Sequence, residues 1–271
     1  MGNTLETVLD ELEIEPADCL FVHSSMDWLS GGVREAIAWI EALLGRIGER
    51  GTLLMPSYIW RGRAGRPSQG TVFDVRRSPS HVGLMSEVFR RMPETFRSEH
   101  YWVPVCGRGL QARDLLADQL RVVHPFGRGS TFARLLETSK AKLVGLGVSL
   151  NTSSLSHLPD YELDRLLPMS VFSDEPITGT VRTYDDVLRP ASSYVVRPEL
   201  IERYKPSRLF EASPRLRAAL RTSNDGKTFR FAYPVRVHFE EAVRVAEIAL
   251  SEKRAPEWLA DCISEVAAEK G

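Results

Sequence analysis

Two spacings of apolar residues alternate along the chain. Residues 32–45 repeat apolar side chains three and four positions apart, which is the period of a helix with one buried face. Short, nearly continuous apolar runs at residues 19–23, 52–55 and 143–148 have the length and composition of buried strands. Strands separated by helical patterns predict a layered α/β/α fold with a mainly parallel central sheet.

The remaining pattern is more varied. Further helices are predicted at residues 4–12, 83–91, 110–116, 131–137, 239–250 and 258–268. Further strands are predicted at residues 181–184, 194–196 and 229–237, of which the last two could pair as an antiparallel edge. Residues 57–77 are rich in glycine and arginine and follow neither period.

The character of the chain changes at residue 168, where an additional C-terminal α+β portion begins. No repeat, low-complexity segment or linker separates this portion from the rest. We therefore predict a single domain over residues 1–271, with residues 1–167 as its core and residues 168–271 completing the same body.

Composition narrows the class of protein. The chain has 271 residues and is 43% hydrophobic, and its net charge of −1 gives no general attraction to nucleic acid or anionic membranes. No apolar run reaches the roughly 20 residues of a membrane span, and the first ten residues lack a signal-peptide core. Three widely spaced cysteines fit neither a disulfide framework nor a zinc site. These features predict a soluble cytoplasmic protein without a metal ion.

A histidine and an acid follow the apolar run at residues 143–148. His157 is expected in the loop after that strand, where open α/β sheets bind ligands. Pro159 suits the first position of a helix, which would carry Asp160 and Glu162 in its first turn. An imidazole near the positive end of a helix tends to be neutral, which suits a general base, although surface histidines before helices are also common.

Small residues follow the first predicted strand. His23, Ser24 and Ser25 end the strand, and Gly31 and Gly32 open the next helix. Backbone amides at such a turn can hold a phosphate, although serine and glycine also simply shape turns. The segment is not a P-loop, because no Gly-Lys-Ser/Thr follows, and the chain has no nucleophile elbow or zinc-hydrolase motif.

Six segments in order resemble the aminoglycoside 3-N-acetyltransferase family, whose fold differs from that of the GNAT acetyltransferases. The resemblance extends over about residues 20–160. It is carried by residues 22–32, 51–57, 78–85, 89–100, 125–130 and 147–157. Each segment is short, and their order and spacing carry the signal.

The resemblance implies an acetyl-CoA-dependent N-acetyltransferase and assigns roles by position. The family's base falls on His157, its threonine falls on Ser154, and its glutamate falls on Asp160, which is one methylene shorter. The implied acetyl-CoA site comprises His23, Ser24, Ser25, Gly31, Gly32, Arg97, Ser98, Phe126 and Gly127.

Two more positions depart from the family pattern, namely Tyr101 in place of a proline and Pro104 in place of a serine. With Asp160, they support an alternative in which the chain is a non-catalytic member that binds acyl-CoA or a partner. A hydrolase is a weaker alternative, because His157 has a carboxylate but no evident nucleophile.

Acetyl transfer from a thioester to an amine needs a held acceptor, a base and a donor for the oxyanion. His157 would be the base, and Asp160 could either orient the imidazole or hold the ammonium. Ser154 or a neighbouring amide could donate to the thioester oxygen. No cysteine lies in the motif, so direct transfer is predicted in place of a covalent acyl-enzyme.

The acceptor is predicted to be an amino sugar. Carboxylates at Asp174 and Glu175 would suit a polycationic aminoglycoside. Aromatic residues Tyr58 and Trp60 suit sugar faces, and Arg61 and Arg63 suit phosphate or carboxylate groups. We therefore expect a phosphate- or nucleotide-linked amino sugar, with aminoglycosides a close second. The arginines could also bind the phosphates of coenzyme A.

Overall fold

The computed structural model describes residues 4–25, 31–60, 66–67 and 70–263. Its strands are β1 (Cys19–Ser24), β2 (Thr52–Pro56), β3 (Val72–Asp74), β4 (Phe96–Arg97), β5 (Val105–Gly109), β6 (Ala141–Leu146), β7 (Ile177–Arg182), β8 (Leu188–Ser193), β9 (Arg221–Asn224) and β10 (Phe229–Pro234). Its α-helices are α1 (Leu5–Glu11), α2 (Gly32–Ile47), α3 (Leu84–Arg91), α4 (Ala112–Leu116), α5 (Thr131–Glu137), α6 (His157–Leu163), α7 (Pro198–Ile201), α8 (Ser207–Ala212), α9 (Pro214–Ala219) and α10 (Val235–Ser251). Short 3₁₀ turns occur at Gln119–Arg121, Ser154–Ser156 and Glu257–Leu259.

Seven strands form the central sheet in the order β4-β5-β2-β1-β6-β10-β9. The three central strands β2, β1 and β6 are parallel, and the outer pairs are antiparallel. Five of the seven strands point in one direction, since only β5 and β10 run the other way. The predicted α/β class with a mainly parallel sheet is confirmed, with an antiparallel extension on each side.

The sheet has a packed core on each face. Successive residues of β1 point to opposite sides, so Phe21 packs with the side chains of α5, α6 and α10, while Leu20 and Val22 pack with those of α1, α2 and α3. All three side chains are fully buried. Burial on both faces explains why β1 is a continuous apolar run and not an alternating one. Among the described residues, no helix is long and apolar enough to cross a membrane.

The C-terminal strands differ from the expectation at residues 194–196 and 229–237. These two segments do not pair. Instead, β10 pairs with β6 and with β9, and residues 235–237 already belong to α10. The turn that joins β9 to β10 contains Gly226 with φ of 81°, so a local hairpin forms where a distant pairing was predicted.

A second, three-stranded sheet accounts for other differences. It has the order β3-β7-β8, and β3 lies within residues 57–77, where the sequence showed no strand period. The strand predicted at residues 181–184 begins earlier, as β7, and ends at residue 182. Three-residue strands such as β3 are too short to show alternation, so the pattern could not reveal them.

The site-bearing segment also starts earlier than predicted. β6 ends at Leu146, two residues before the predicted end, because Gly147 turns the chain with φ of 68°. The helix predicted from Pro159 begins instead at His157, directly after the Ser154–Ser156 turn. Of the helix predicted at residues 258–268, residues 260–263 are helical and residues 264–268 lie outside the described residues.

Candidate active site

The parallel strands β1, β2 and β6 all end at one edge of the sheet, and the segments that follow them surround a cavity of about 240 Å³. β1 supplies His23 and Ser24 to its wall. The segment after β2 supplies Tyr58 and Trp60, and the segment after β6 supplies residues 151–154 and His157. The remaining lining residues are Pro56, Val82, Trp102, Val103, Phe126, Val196, Ile201 and Tyr204.

His157 is the first residue of α6, and its side chain is 16% exposed. Its Nδ1 atom lies 3.0 Å from Oδ2 of Asp160, one helical turn further on. An ionised carboxylate can only accept a hydrogen bond, so Nδ1 carries the proton and Nε2 keeps its lone pair. Nε2 is therefore the nitrogen that can accept a proton from a molecule in the cavity.

Aromatic rings hold the imidazole of His157 in place. The ring of Tyr204 stacks on it at a centroid distance of 4.6 Å, and Phe126 packs at 5.4 Å. Phe126 and Tyr204 both line the cavity and are buried. The ring of His157 is thus confined between two other rings, which limits its rotation.

The Ser154 hydroxyl pairs with the phenol of Tyr58 at the cavity wall. The two oxygens are 2.6 Å apart. Burial raises the pKa of Tyr58 above its usual value, so the phenol keeps its proton and can donate to Ser154. Ser154 then has its own proton available for an acceptor in the cavity.

His23 is a second imidazole at the cavity. Its Nε2 atom accepts a long hydrogen bond of 3.4 Å from the backbone amide of Ser154. Burial lowers the pKa of His23 to about 4, so it is neutral at physiological pH. His23 therefore contributes an acceptor that fixes the Ser154 backbone.

The cavity wall is aromatic. The rings of Tyr58 and Trp60 stack at 5.0 Å, and Trp60 stacks on Trp102 at 6.0 Å. The indole nitrogen of Trp60 donates to the Trp102 carbonyl at 2.6 Å, which fixes the stack. Among the described residues, no aspartate, glutamate, lysine or arginine lines the cavity, and no cluster of possible metal ligands was found.

The cofactor residues predicted from the sequence divide into two groups. His23, Ser24 and Phe126 line the cavity. Ser25 lies next to Ser24 and its amide binds the Leu146 carbonyl at 3.0 Å. Gly31 and Gly32 begin α2, and Gly127 lies in a turn against the ring of Tyr161. Residues 26–30, which connect these glycines to the strand, lie outside the described residues.

Arg97 and Ser98, which were expected in the acetyl-CoA site, do not line the cavity. Arg97 is 3% exposed, and its guanidinium donates to the carbonyls of Ser78, at 2.5 Å, and Ser57. Ser98 accepts a hydrogen bond from the Val105 amide at 2.9 Å. Both terminal nitrogens of Arg97 and the Ser98 hydroxyl thus bind the protein backbone and support the loops around the cavity.

The residues predicted to bind the acceptor substrate do not all lie at the cavity. Tyr58 and Trp60 line the cavity as expected. Asp174 instead pairs with Arg197 at 2.6 Å in a different surface groove, its side chain is 82% exposed, and Glu175 follows it on the surface. Neither acid lines the cavity. Arg61 and Arg63 lie outside the described residues.

Tyr101 and Pro104, the two residues that differ from the family pattern, also lie away from the cavity. Tyr101 is 2% exposed and packs with Phe73 and Val181 in the core of the second sheet. The Pro104 carbonyl accepts from the Ser57 amide at 2.8 Å. Both residues contact other parts of the protein, and neither of them lines the cavity.

Three residues of the site were not identified from the sequence. They are Trp102, which completes the aromatic stack, and Tyr204 and Trp258, which both donate to Asp160. The two donors are 44 and 98 residues from Asp160 along the chain, in segments without a recognisable motif. Only the aromatic character of these segments could have drawn attention to them.

The chain is similar to known proteins in sequence and in fold. A family model described as aminoglycoside 3-N-acetyltransferase matches residues 21–204. The aminoglycoside N(3)-acetyltransferase IV of Salmonella sp is 33% identical over 145 residues, which is 52% of this chain and 52% of that protein. The match thus spans about half the length of that curated relative.

Solved structures of other proteins can be superposed on a larger part of this chain than the sequence match covers. A mutant of aminoglycoside acetyltransferase AAC(3)-IVa in complex with a gentamicin has a TM-score of 0.69 and 25% identity, covering 89% of this chain and 85% of its own. The structure of AAC-IIIb with CoASH has a TM-score of 0.70 and 21% identity, covering 94% and 98%. These similarities extend beyond the matched segments to the C-terminal portion.

Proposed function

Because the chain belongs to the aminoglycoside 3-N-acetyltransferase family, we propose that it transfers an acetyl group from acetyl-CoA to a primary amine of an amino sugar. The observation that carries the proposal is the His157–Asp160 pair at the wall of a cavity formed at the ends of three parallel strands. A thioester is already activated, so the protein has to hold the amine, remove a proton and stabilise an oxyanion.

His157 is the proposed general base. Its Nδ1 atom is engaged by Asp160, which leaves Nε2 for the acceptor amine. A sugar amine is largely protonated at neutral pH, and a positioned base typically contributes about 10²–10⁴-fold. Asp160 is fully buried and does not line the cavity. This placement supports the orienting role for Asp160 over the role of holding the substrate ammonium.

Ser154 is the proposed donor to the thioester oxygen. Its hydroxyl lies at the cavity. The Tyr58 phenol, 2.6 Å away, can donate a hydrogen bond to the oxygen of that hydroxyl. The Ser154 amide is already turned toward His23, so the hydroxyl is the better donor of the two. As the carbonyl carbon becomes tetrahedral, a fixed hydroxyl at this position would stabilise the charge that develops on the carbonyl oxygen.

Direct transfer is favoured by the positions of the cysteines. None of Cys19, Cys106 and Cys262 lines the cavity, and all three are buried. Burial raises the pKa of Cys19 to about 12 and the pKa values of Cys106 and Cys262 to about 11, so their reactive thiolates are scarce at neutral pH. The amine would therefore attack the thioester carbon directly.

The proposed acetyl-CoA site follows the end of β1 and the start of α2. His23, Ser24 and Phe126 line the cavity near His157, and Ser25, Gly31, Gly32 and Gly127 lie in adjacent turns. The structure of the related AAC-IIIb contains CoASH, which supports coenzyme A as the carrier here. The Gly31 amide at the start of the 16-residue helix α2 already donates to the Glu35 carboxylate at 3.0 Å, so a phosphate group at this helix end would bind the amides that follow Gly31.

The acceptor is proposed to be an amino sugar that stacks on the wall of Tyr58, Trp60 and Trp102. Aromatic faces pack well against the apolar faces of sugars, and the described lining contains no carboxylate that would attract a polycation. The described lining contains no lysine or arginine either, so the proposal of a phosphate- or nucleotide-linked amino sugar rests on Arg61 and Arg63 in the sequence as candidate contacts. Aminoglycosides remain the second candidate, as the related AAC(3)-IVa binds a gentamicin.

The test is coenzyme A release from acetyl-CoA with two sets of acceptors, gentamicin-type aminoglycosides and nucleotide-linked amino sugars. Acetylated product should form faster with the nucleotide-linked set, and Arg61→Ala with Arg63→Ala should reduce that preference. Efficient turnover of aminoglycosides alone, unaffected by these substitutions, would exclude an anionic acceptor. Binding of acetyl-CoA without turnover of any amine would favour the non-catalytic alternative.

A further inference from the structure

The Asp160 carboxylate is completely buried, and three side chains surround it. Besides His157, the Tyr204 hydroxyl donates to Oδ2 at 2.5 Å and the Trp258 indole donates to Oδ1 at 2.9 Å. A buried charge is costly unless hydrogen bonds satisfy it, and here each oxygen has a donor other than His157. The orientation of the carboxylate is therefore fixed from outside α6.

Tyr204 contacts both members of the His157–Asp160 pair. It lies between α7 and α8, is 7% exposed, and its ring stacks on His157 at 4.6 Å. Burial, followed by the nearby Asp160 charge, raises the pKa of Tyr204 well above its usual value. The phenol thus keeps its proton and acts as a donor to Asp160, with the Ser156 carbonyl 2.9 Å away as a second acceptor.

Trp258 contacts the same carboxylate from a later segment of the C-terminal portion than Tyr204. It lies in the Glu257–Leu259 turn after α10 and is 2% exposed. An indole N–H can only donate, so its contact with Asp160 has one direction. The Trp258 carbonyl also accepts from the Lys205 amide at 3.1 Å, which ties this turn to the residue next to Tyr204.

We propose that Tyr204 and Trp258 are positioning residues, which fix the Asp160 carboxylate and thereby set the direction and base strength of the His157 imidazole. The inference rests on the proposed role of His157. The hydrogen bonds from the Tyr204 hydroxyl and the Trp258 indole partly neutralise the negative charge of the Asp160 carboxylate. The carboxylate therefore stabilises the protonated form of His157 less strongly than it would without these bonds. Trp258 lies beyond residues 21–204, so the catalytic pair depends on a part of the chain that the family model does not match.

Two conservative substitutions separate positioning from packing. Tyr204→Phe keeps the ring that stacks on His157 and removes only the hydroxyl, and Trp258→Phe keeps an aromatic ring and removes the indole N–H. Each variant lacks one hydrogen-bond donor to Asp160, so the carboxylate next to the Nδ1 atom of His157 carries more negative charge than in the wild-type protein. The His157 imidazole should then titrate at a higher pH, by about half a unit or more, in ¹⁵N-histidine NMR spectra of the free protein.

Kinetics give a second readout. Both variants should lower kcat with little change in acceptor KM, and the acidic limb of kcat/KM should move to higher pH in the same direction as the NMR titration. Trp39→Phe is a matched control, because Trp39 is a 3% exposed indole in the core on the other face of the sheet. It should reduce thermal stability and leave the His157 titration unchanged.

One measurement needs no variant at these two positions. In the wild-type protein, the indole N–H signal of Trp258 should shift with the same midpoint as the His157 titration, because both groups share Asp160. A Trp258 signal that does not follow His157, or folded variants with an unchanged His157 titration, would overturn the proposal. These spectra do not require turnover, so absence of acetyl transfer would count against the proposed function alone.

Discussion

The hydroxyl groups of Tyr58 and Ser154 lie 2.6 Å apart, although 96 residues separate them in the sequence. Tyr58 follows β2 and Ser154 follows β6, and the parallel sheet brings both segments to the same edge. The buried phenol keeps its proton, so the pair can present one donated proton from Ser154 to the cavity. Such a donor would suit the role proposed for Ser154, which is to stabilise a developing oxyanion.

Removing the Ser154 hydroxyl should slow acetyl transfer. We expect Ser154→Ala to lower kcat by roughly 10²–10³-fold, the usual effect of removing one oxyanion donor. Ser154→Thr, which keeps a hydroxyl, should retain most of the activity, and Tyr58→Phe should have a smaller effect than Ser154→Ala. The measurement is kcat at saturating acetyl-CoA and amine. An unchanged kcat in Ser154→Ala would assign the oxyanion to another donor.

Asp160→Asn should separate the orienting role from substrate binding. The substitution removes the charge that holds the Nδ1 proton of His157, so kcat should fall by about tenfold or more. The acceptor KM should change little, because Asp160 does not line the cavity. Steady-state kinetics with varied acceptor decide this point. A large rise in KM at constant kcat would mean that Asp160 contacts the ammonium.

Asp160→Glu should destabilise the protein, because Asp160 has no exposed surface and contacts three side chains. An added methylene in such a site typically costs about 1–3 kcal/mol. Thermal unfolding should therefore begin at a lower temperature, and acetyl transfer should be slower. Glu162→Asp, which changes the length of an exposed carboxylate on the same helix, is the control and should have no effect. Equal or greater stability of Asp160→Glu would show that the site has unused space.

Acidification should weaken the fold before the carboxylates titrate. Burial lowers the pKa of His23, His124 and His238 to about 4 and that of His100 to about 3, whereas unfolded histidines titrate near 6.5. Between these values the unfolded chain binds about four more protons than the native protein, so the unfolding free energy falls as the pH is lowered from 6.5 towards 4. Above 6.5 these histidines contribute no pH dependence.

Chemical denaturation at a series of pH values measures this effect. His238→Phe removes one of the four groups and should make the slope shallower by about a quarter. Carboxylates such as Glu87 and Asp225, whose pKa values are lowered to about 2 by hydrogen bonds and ion pairs, contribute only at lower pH. A constant unfolding free energy from pH 6.5 to 5 would rule out buried neutral histidines.

The sequence was most informative where burial is complete. β1, β2 and α5 were located within one residue, because their apolar periods and flanking turns are strong. The pairing of the C-terminal strands was missed, since two apolar runs do not specify their neighbours and the local β9–β10 hairpin was preferred. Short strands such as β3 carry too few residues to show a period.

The sequence pointed to the proposed pair of His157 and Asp160 but not to the residues that surround it. His157 and Asp160 are three residues apart, so a motif could reveal them, and the structure places them in contact. Tyr204 and Trp258 reach Asp160 only through tertiary packing, which no local pattern encodes. The family resemblance implied that Arg97 belongs to the acetyl-CoA site, whereas the structure places its guanidinium against backbone carbonyls and away from the cavity.

The most direct test of the account is the rate of coenzyme A release by His157→Gln, measured with the acceptor that the wild-type protein acetylates. We predict that kcat/KM falls by about 10²–10⁴-fold while acetyl-CoA binding, measured by calorimetry, stays unchanged. His81→Gln, at a histidine that does not line the cavity, should keep wild-type activity. A kcat/KM within a few-fold of wild type in folded His157→Gln would contradict the assignment of His157 as the base.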